Sequence, residues 1–277
     1  MCGASDDRGM TRRPGWNSGV AMGELPYPDV VDVAERDGSI LVVPVGSTEQ
    51  HGHHLPVTTD TRLAEAVALG GAEEVADDVP VLVAPSVATG HSPHHEAFGG
   101  TLSVDGRLLT DLLVELSRSA ARGGFDAVLV VNGHAGNEPF VAAAARTAGP
   151  AAEGAALYGL TYFGLAADLI DDLRDSSVGG MGHGGEFETA LALHLFPDLV
   201  RTDETTSGER DPPTDYESRD MFERGPLDAY RPFEDRTDTG ILGDPGAASA
   251  EAGETLFEYL REELGRLLVQ VHEDAGA

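Results

Sequence analysis

A chain of 277 residues that is 41% hydrophobic can bury one large core or two small ones. A single domain over residues 23–277 is expected, behind a disordered N-terminal extension, residues 1–22. The net charge of −30, set against 18 cationic residues that are all Arg, argues against polyanionic partners, because such a surface repels nucleic acid and anionic membrane. Acid-rich, Lys-free surfaces also suit molar salt, where charge screening is short-ranged, so a halophilic source is expected. The single cysteine, Cys2, excludes an intrachain disulfide and a Cys-based metal site. No apolar run approaches a membrane span or a signal-peptide core, and a cytoplasmic location is expected.

In chain order, Leu25 to Glu35 reads as a short helix, and the β-branched run Ile40 to Val45 reads as a strand. That strand feeds a Gly-punctuated polar loop that carries Glu49, His51, His53, His54 and Asp60. Ligand sites in open α/β sheets lie at the carboxyl ends of strands, which makes this loop the first candidate site. A helix is expected from Asp60 to Val75, then a second strand, Val79 to Val87, ending in Gly90-His91-Ser92-Pro93-His94-His95. Val104 to Arg122 is helical by the spacing of Leu108, Leu109, Leu112, Leu113 and Leu116, and Gly123-Gly124 stops it.

Phe125 to Val131 is the most strand-like run and continues into Asn132-Gly133-His134-Ala135-Gly136-Asn137. A helix from Glu138 to Ala148, a strand from Ala155 to Phe163 and a short helix or lid from Leu165 to Arg174 follow. The glycine-dense loop Gly179 to Gly185 delivers Glu186 and Glu188 to the start of a helix ending at Leu195. Residues 201–239 are polar and acidic and read as a solvated surface excursion, and Ala248 to Val271 is a closing helix. Alternating strands and helices argue for an α/β fold with a mostly parallel sheet covered on both faces, its polar loops gathered at one edge.

Metal-assisted hydrolysis needs oxygen and imidazole ligands with a coordination position left open for water. Glu49, His51, Asp60, His134 and one of Glu186 or Glu188 supply that set from separate loops. If Asp60 gives one oxygen to each of two cations, these would stand about 3.5–4 Å apart, and a bridging water would deprotonate near neutral pH. Without Cys, such a set favours Zn2+, Mn2+ or Fe2+ over copper. His91, His94, His95 and His194 are expected to orient substrate, solvate or pack rather than bind metal, and His53 to have no role.

The segments Val43 to Gly52, His54-Leu55-Pro56, Thr59-Asp60-Thr61, Asn132 to Asn137 and His183 to Thr189 resemble the creatininase family of metal-dependent amidohydrolases. The loops Gly90 to His95 and Gly243-Asp244-Pro245 are similar to family loops as well, so the resemblance runs from Leu25 to the last helix. It implies a three-layer α/β/α sandwich, a hexameric homo-oligomer and two divalent cations, Zn2+ first, with Mn2+ or Fe2+ as alternatives.

Carried over by position, Glu49 and His51 would each bind one metal, Asp60 would bridge, and His134 would complete the first site. The family's namesake has a glutamate where Gly136 stands, and Glu186 is expected to take over that ligand place. Glu188 matches the glutamate of the His-Gly-Gly-x-x-Glu-Thr signature and would carry protons or support the ligands. His183 matches the histidine that protonates the departing nitrogen. The tryptophans that close over creatinine are missing, since the chain's only Trp is Trp16.

The expectation is an enzyme that cleaves the C–N bond of a small-molecule amide with a metal-activated water. A linear amide or formamide is favoured, such as a formamidopyrimidine nucleotide of riboflavin or deazaflavin biosynthesis. The alternatives are creatinine or another cyclic amide, a peptidase of redox-cofactor precursor maturation, and a non-catalytic metal-binding scaffold.

Overall fold

The computed structural model describes residues 19–148, 154–208 and 214–276; the rest, including most of the expected N-terminal extension, lies outside the described residues. Four parallel strands, β1 (Ile40–Val45), β2 (Val81–Val83), β3 (Ala127–Asn132) and β4 (Ala156–Thr161), form one sheet in the order β2-β1-β3-β4. Every residue of β1 and β3 is buried, because helices cover both faces of the sheet.

The two-residue period of the strands assigns those faces. Ile40, Val42, Ala127, Leu129 and Val131 enter one core with Leu63 and Val67 of α2 (Thr59–Val75), where α6 (Glu186–Leu195) and α7 (Ala250–Ala275) also pack. Leu41, Val43, Val45, Val128 and Val130 enter the opposite core, under α1 (Tyr27–Ala34), α3 (Gly106–Arg122) and α4 (Glu138–Ala148). The short α5 (Ile170–Leu173) buries Ile170 in the first core. The result is an α/β/α sandwich of three layers. On α3, Leu109 and Leu113 face the sheet while Leu108 and Leu112 are exposed, so its leucine run spans more than the buried stripe.

Two expectations about the edge of the sheet are corrected. Regular pairing in β2 covers only Val81–Val83, because Pro80 and Pro85 bracket it and proline has no N–H for the ladder; pairing resumes only as an isolated bridge from Val87 to Val45. Val20 and Ala21, expected in the extension, are instead buried against β2, where the Val83 N–H donates to the Val20 carbonyl at 2.8 Å.

The chain leaves β1 for β2 on one side and returns to place β3 on the other, so the strand order reverses between β1 and β3. A crevice for ligands opens at the carboxyl ends of two such strands. Of the expected excursion, residues 201–239, the part from 214 on contains only short turns with many exposed side chains, as expected, and it also lines the crevice, through Asp220, Tyr230 and Phe233 among others. Asp220 pins it: its carboxylate accepts from Arg174 Nη1 at 2.7 Å, the Gly179 N–H at 2.8 Å, and the Phe222 and Glu223 N–H groups at 3.0 and 2.9 Å.

Burial pushes the Asp220 carboxyl up, but Arg174 and the three N–H donors outweigh it and hold it below the usual carboxylate range. A depressed folded value gives stability that is present above the unfolded value, near pH 4, and lost as pH falls through the folded one. Asp220→Asn should therefore destabilise by about 3 kcal/mol at neutral pH. In urea titrations its deficit against the parent should shrink only in acid; a deficit independent of pH down to full carboxyl protonation would refute the assignment.

Candidate metal centre

Two loops and a helix start meet at the crevice. The loop after β1 carries Glu49 and His51, the first turn of α2 carries Asp60, and the loop after β3 carries His134. Gly133 permits the approach: a Cβ there would stand 2.5 Å from the Asp60 carbonyl oxygen. Two asparagines staple the loops together. Asn132 Nδ2 donates to the His134 carbonyl at 2.7 Å; Asn137 Nδ2 donates to the Gly46 carbonyl at 3.0 Å, while its Oδ1 accepts from the His91 N–H at 2.8 Å. Gly136 lies so close that a Cβ would come within 2.3 Å of His134 Nε2 and 2.6 Å of the His91 carbonyl. No side chain, and so no ligand, fits there in this conformation.

Among the acids and imidazoles, two sets share Asp60, and a third joins Glu49 and His51 to the half-buried His183. Asp60 Oδ1 stands 2.9 Å from His51 Nε2, and Asp60 Oδ2 stands 3.2 Å from His134 Nδ1. Glu49 Oε1 joins the His134 side at 3.2 Å, and Glu188 Oε1 joins the His51 side at 3.8 Å. Within each set, Glu49-Asp60-His134 and His51-Asp60-Glu188, the ligand atoms lie within 4.8 Å of one another. All five residues are buried.

Glu49 Oε1, His51 Nε2 and Asp60 Oδ2 make no directed hydrogen bond, although each stands within ion-pair distance of a neighbour. Buried polar atoms are rarely left so. Atoms that converge without bonding one another are the arrangement a cation requires, and a hard carboxylate and imidazole set fits a divalent one.

Hydrogen bonds behind the cluster select the tautomers. His51 Nδ1 faces the Glu49 carbonyl at 3.2 Å, and a carbonyl only accepts, so Nδ1 carries the hydrogen and Nε2 is left for the centre. His134 Nε2 faces the His91 carbonyl at 3.1 Å, which leaves Nδ1 for the centre in the same way. His183 Nε2 donates to the Gln50 carbonyl at 2.7 Å, so its Nδ1 lone pair looks toward Glu49 Oε1, 3.6 Å away. Gln50 Nε2 donates to His95 Nδ1 at 2.9 Å and to the Gly240 carbonyl at 2.8 Å.

Charge accompanies the geometry. Burial pushes Glu49 up, yet His134 and His95 outweigh it and hold the carboxyl well below its usual range. Burial pushes His51 and His134 down, but Asp60 with Glu188 raises the first, and Glu49 with Asp60 raises the second, well above the ordinary imidazole value. His183 goes the other way: burial, then His51 and His95, hold it well below its ordinary value and neutral. Burial with His95 and His134 lowers His94 to about 3.

Glu186 and Glu188 part company. Two positions on a helix differ by about 200° around its axis, so the two carboxylates look in opposite directions. Glu186 Oε1 accepts from the Asp175 N–H at 2.8 Å, and Oε2 accepts from the Ser176 N–H at 3.0 Å and the Ser176 hydroxyl at 2.5 Å. Both of its oxygens are used away from the centre, which corrects the expectation that Glu186 would be a ligand. Glu188 Oε2 accepts from the Gly184 N–H at 2.6 Å, and its Oε1 points to His51.

Above the centre lies a cavity of about 330 Å³ lined by Asp60, His134, His183 and Glu188 below, and by Tyr230 and Phe233 from the excursion. The Phe233 ring covers His95 at 4.0 Å and His183 at 5.1 Å between centroids. Ser92, Phe233 and the inward role of the excursion were not legible from the sequence. His95, expected to orient or pack, stands 3.3 Å from Glu49 Oε1. His54 ties the first loop to α6 through Thr189 Oγ1 at 3.0 Å, while His53 is exposed.

The family profile described as "Creatininase: Creatinine amidohydrolase" matches residues 23–268. A mycofactocin precursor peptide peptidase of Mycolicibacterium smegmatis is 39% identical over 221 residues, 79% of each chain. A structure described as "Creatininase Mn" superposes with a TM-score of 0.77 at 29% identity, covering 91% of this chain and 98% of the other. A Zn-Zn type creatininase variant gives 0.76 at 30% identity, covering 92% and 98%.

Proposed function

Because the chain belongs to the creatininase family, whose members are metal-dependent amidohydrolases, we propose that it hydrolyses an amide bond within a peptide. Two divalent cations would be held, one by Glu49, Asp60 and His134, the other by His51, Asp60 and Glu188. The observation that carries this reading is the pair of Asp60 oxygens, each turned toward a different imidazole beside unpartnered buried atoms. Zn2+ and Mn2+ fit the donor set, and structural neighbours are described with each.

A peptide is favoured over a formamide or creatinine for two reasons. The relative just described acts, by its name, on a precursor peptide. The cavity lining includes the exposed side chains of Tyr230 and of Arg224, the latter paired with Glu138, groups that suit a peptide's amides and carboxylates.

Bound cations supply Lewis acidity toward the carbonyl and lower the pKa of water. The chain's own residues then manage position and protons. Asp60 fixes the separation of the two sites, and Phe233 shields the imidazoles of His95 and His183 from bulk water on one side. His183, neutral with Nε2–H held by Gln50, accepts a proton at Nδ1 from the attacking water and returns it to the departing nitrogen as the C–N bond breaks. Glu188 is less suited to this shuttle, since one of its oxygens is bonded to the Gly184 N–H and the other is directed at His51.

The test is hydrolysis of a precursor peptide, creatinine and a formamidopyrimidine nucleotide by the metal-free protein before and after adding Zn2+ or Mn2+. Peptide cleavage should appear only on reloading and saturate near two equivalents. Turnover of either small amide without peptide cleavage would overturn the peptide assignment, and peptide cleavage indifferent to chelation would overturn the metal centre.

A further inference from the structure

We propose that Ser92 is the positioning residue of the first cation site, selecting which oxygen of Glu49 and which nitrogen of His134 face the metal. Ser92 is fully buried, in the loop after β2. Its hydroxyl touches three groups: Glu49 Oε2 at short range, Ser47 Oγ at 2.6 Å and His134 Nε2 at 3.1 Å. Two of the three, Glu49 and His134, belong to the set Glu49-Asp60-His134, and none belongs to the set His51-Asp60-Glu188.

A serine hydroxyl has one hydrogen, and the ionised Glu49 carboxylate can only accept. The Ser92 hydrogen therefore goes to Glu49 Oε2, and Ser47 must donate its own hydrogen to Ser92 Oγ. His134 Nε2 faces the His91 carbonyl and Ser92 Oγ, both acceptors in this arrangement, so that nitrogen keeps its hydrogen and Nδ1 is the one turned to the centre. The chain Ser47 to Ser92 to Glu49 occupies Oε2 and turns the unpartnered Oε1 to the centre. The Ser92 backbone is fixed in turn, its N–H donating to Ser103 Oγ at 2.9 Å, so the hydroxyl is placed by the loop and not by the metal.

The inference rests on the two-cation reading above, and its test separates the two. Metal-free parent, Ser92→Ala and Ser92→Thr proteins are titrated with Co2+ and followed by calorimetry and visible absorption. Glu188→Gln, which lacks the second site, assigns the two binding steps.

The parent should take up two ions. Failure to do so refutes the two-cation reading itself, not the role of the serine. Ser92→Ala should bind the first ion about 10- to 100-fold more weakly, with an altered absorption band for that step, while the second step stays unchanged; the metal-free melting temperature should fall, since buried hydrogen bonds are lost. Ser92→Thr, which keeps a hydroxyl, should restore most of the loss.

Unchanged first-step affinity in Ser92→Ala overturns the proposal, as does equal weakening of both steps, which marks a packing role. Should Ser92→Ala not fold, Ser47→Ala, which removes only the hydroxyl donated to Ser92, takes its place. It should weaken the first step severalfold, and an unaltered first step would then overturn the proposal.

Discussion

Asp60→Asn should lose both cations together, with metal content falling from two equivalents to less than one and peptide hydrolysis falling at least about 10³-fold. The magnitude follows from removing several kcal/mol of transition-state charge stabilisation at about 1.4 kcal/mol per tenfold of rate. The joint loss follows from geometry: of the three overlapping ligand sets, Asp60 is common to the two proposed to hold cations, Glu49-Asp60-His134 and His51-Asp60-Glu188. An asparagine keeps the size of the side chain but replaces one oxygen by an NH2 group, which cannot ligate and would point its hydrogens at His51 or His134. A variant that touches one set only, such as His51→Gln, should retain about one equivalent.

The buried acids and imidazoles also compensate one another without metal, so Asp60→Asn must be compared with the parent by far-ultraviolet dichroism before its metal content is read. Elemental analysis of folded Asp60→Asn that still shows two equivalents would remove the bridging role, and with it the two-cation chemistry.

The convergence of Glu49, His51, Asp60 and His134 was legible in the sequence because strand polarity does most of the work. Buried runs such as Ile40–Val45 and Ala127–Asn132 can only be neighbours in a parallel sheet, and whatever follows them falls at the same edge. Helix amphipathicity likewise located α2, α3 and α7 within a few residues.

Side-chain partners across the chain were not legible in the same way. Nothing local distinguishes Ser92 from any loop serine, and its role exists only because the loop after β2 passes over Glu49. The excursion of residues 201–239 read as solvated because its composition is polar, and much of it is exposed, but that composition did not show that Asp220 and the Glu217–Arg231 pair tie the segment down, with Phe233 over the centre. Val20 carried too short an apolar signal to show that it would cover the edge of β2. The choice between Glu186 and Glu188 depends on the helix starting at Glu186, and boundaries are what sequence patterns fix least well.

Glu188→Gln and Glu186→Gln should give opposite phenotypes. Glu188→Gln removes one of three ligands from the His51 side alone, so one equivalent of metal should remain on Glu49, Asp60 and His134, with hydrolysis reduced by about 10²- to 10³-fold. Its fold should survive, because the amide oxygen can still accept from the Gly184 N–H.

Glu186→Gln leaves every ligand in place and should keep both cations. What it loses is the charge that gathers two backbone N–H groups and the Ser176 hydroxyl, so it should cost about 2 kcal/mol of stability in a denaturant titration. Any loss of activity should come indirectly, through the 175–185 loop that carries His183, as a change in rate with two equivalents of metal still bound. The two variants thus separate on stoichiometry, which neither folding nor substrate choice can imitate. Two equivalents on Glu188→Gln and one on Glu186→Gln would restore Glu186 as the ligand and require α6 to be rotated by about half a turn from its position here.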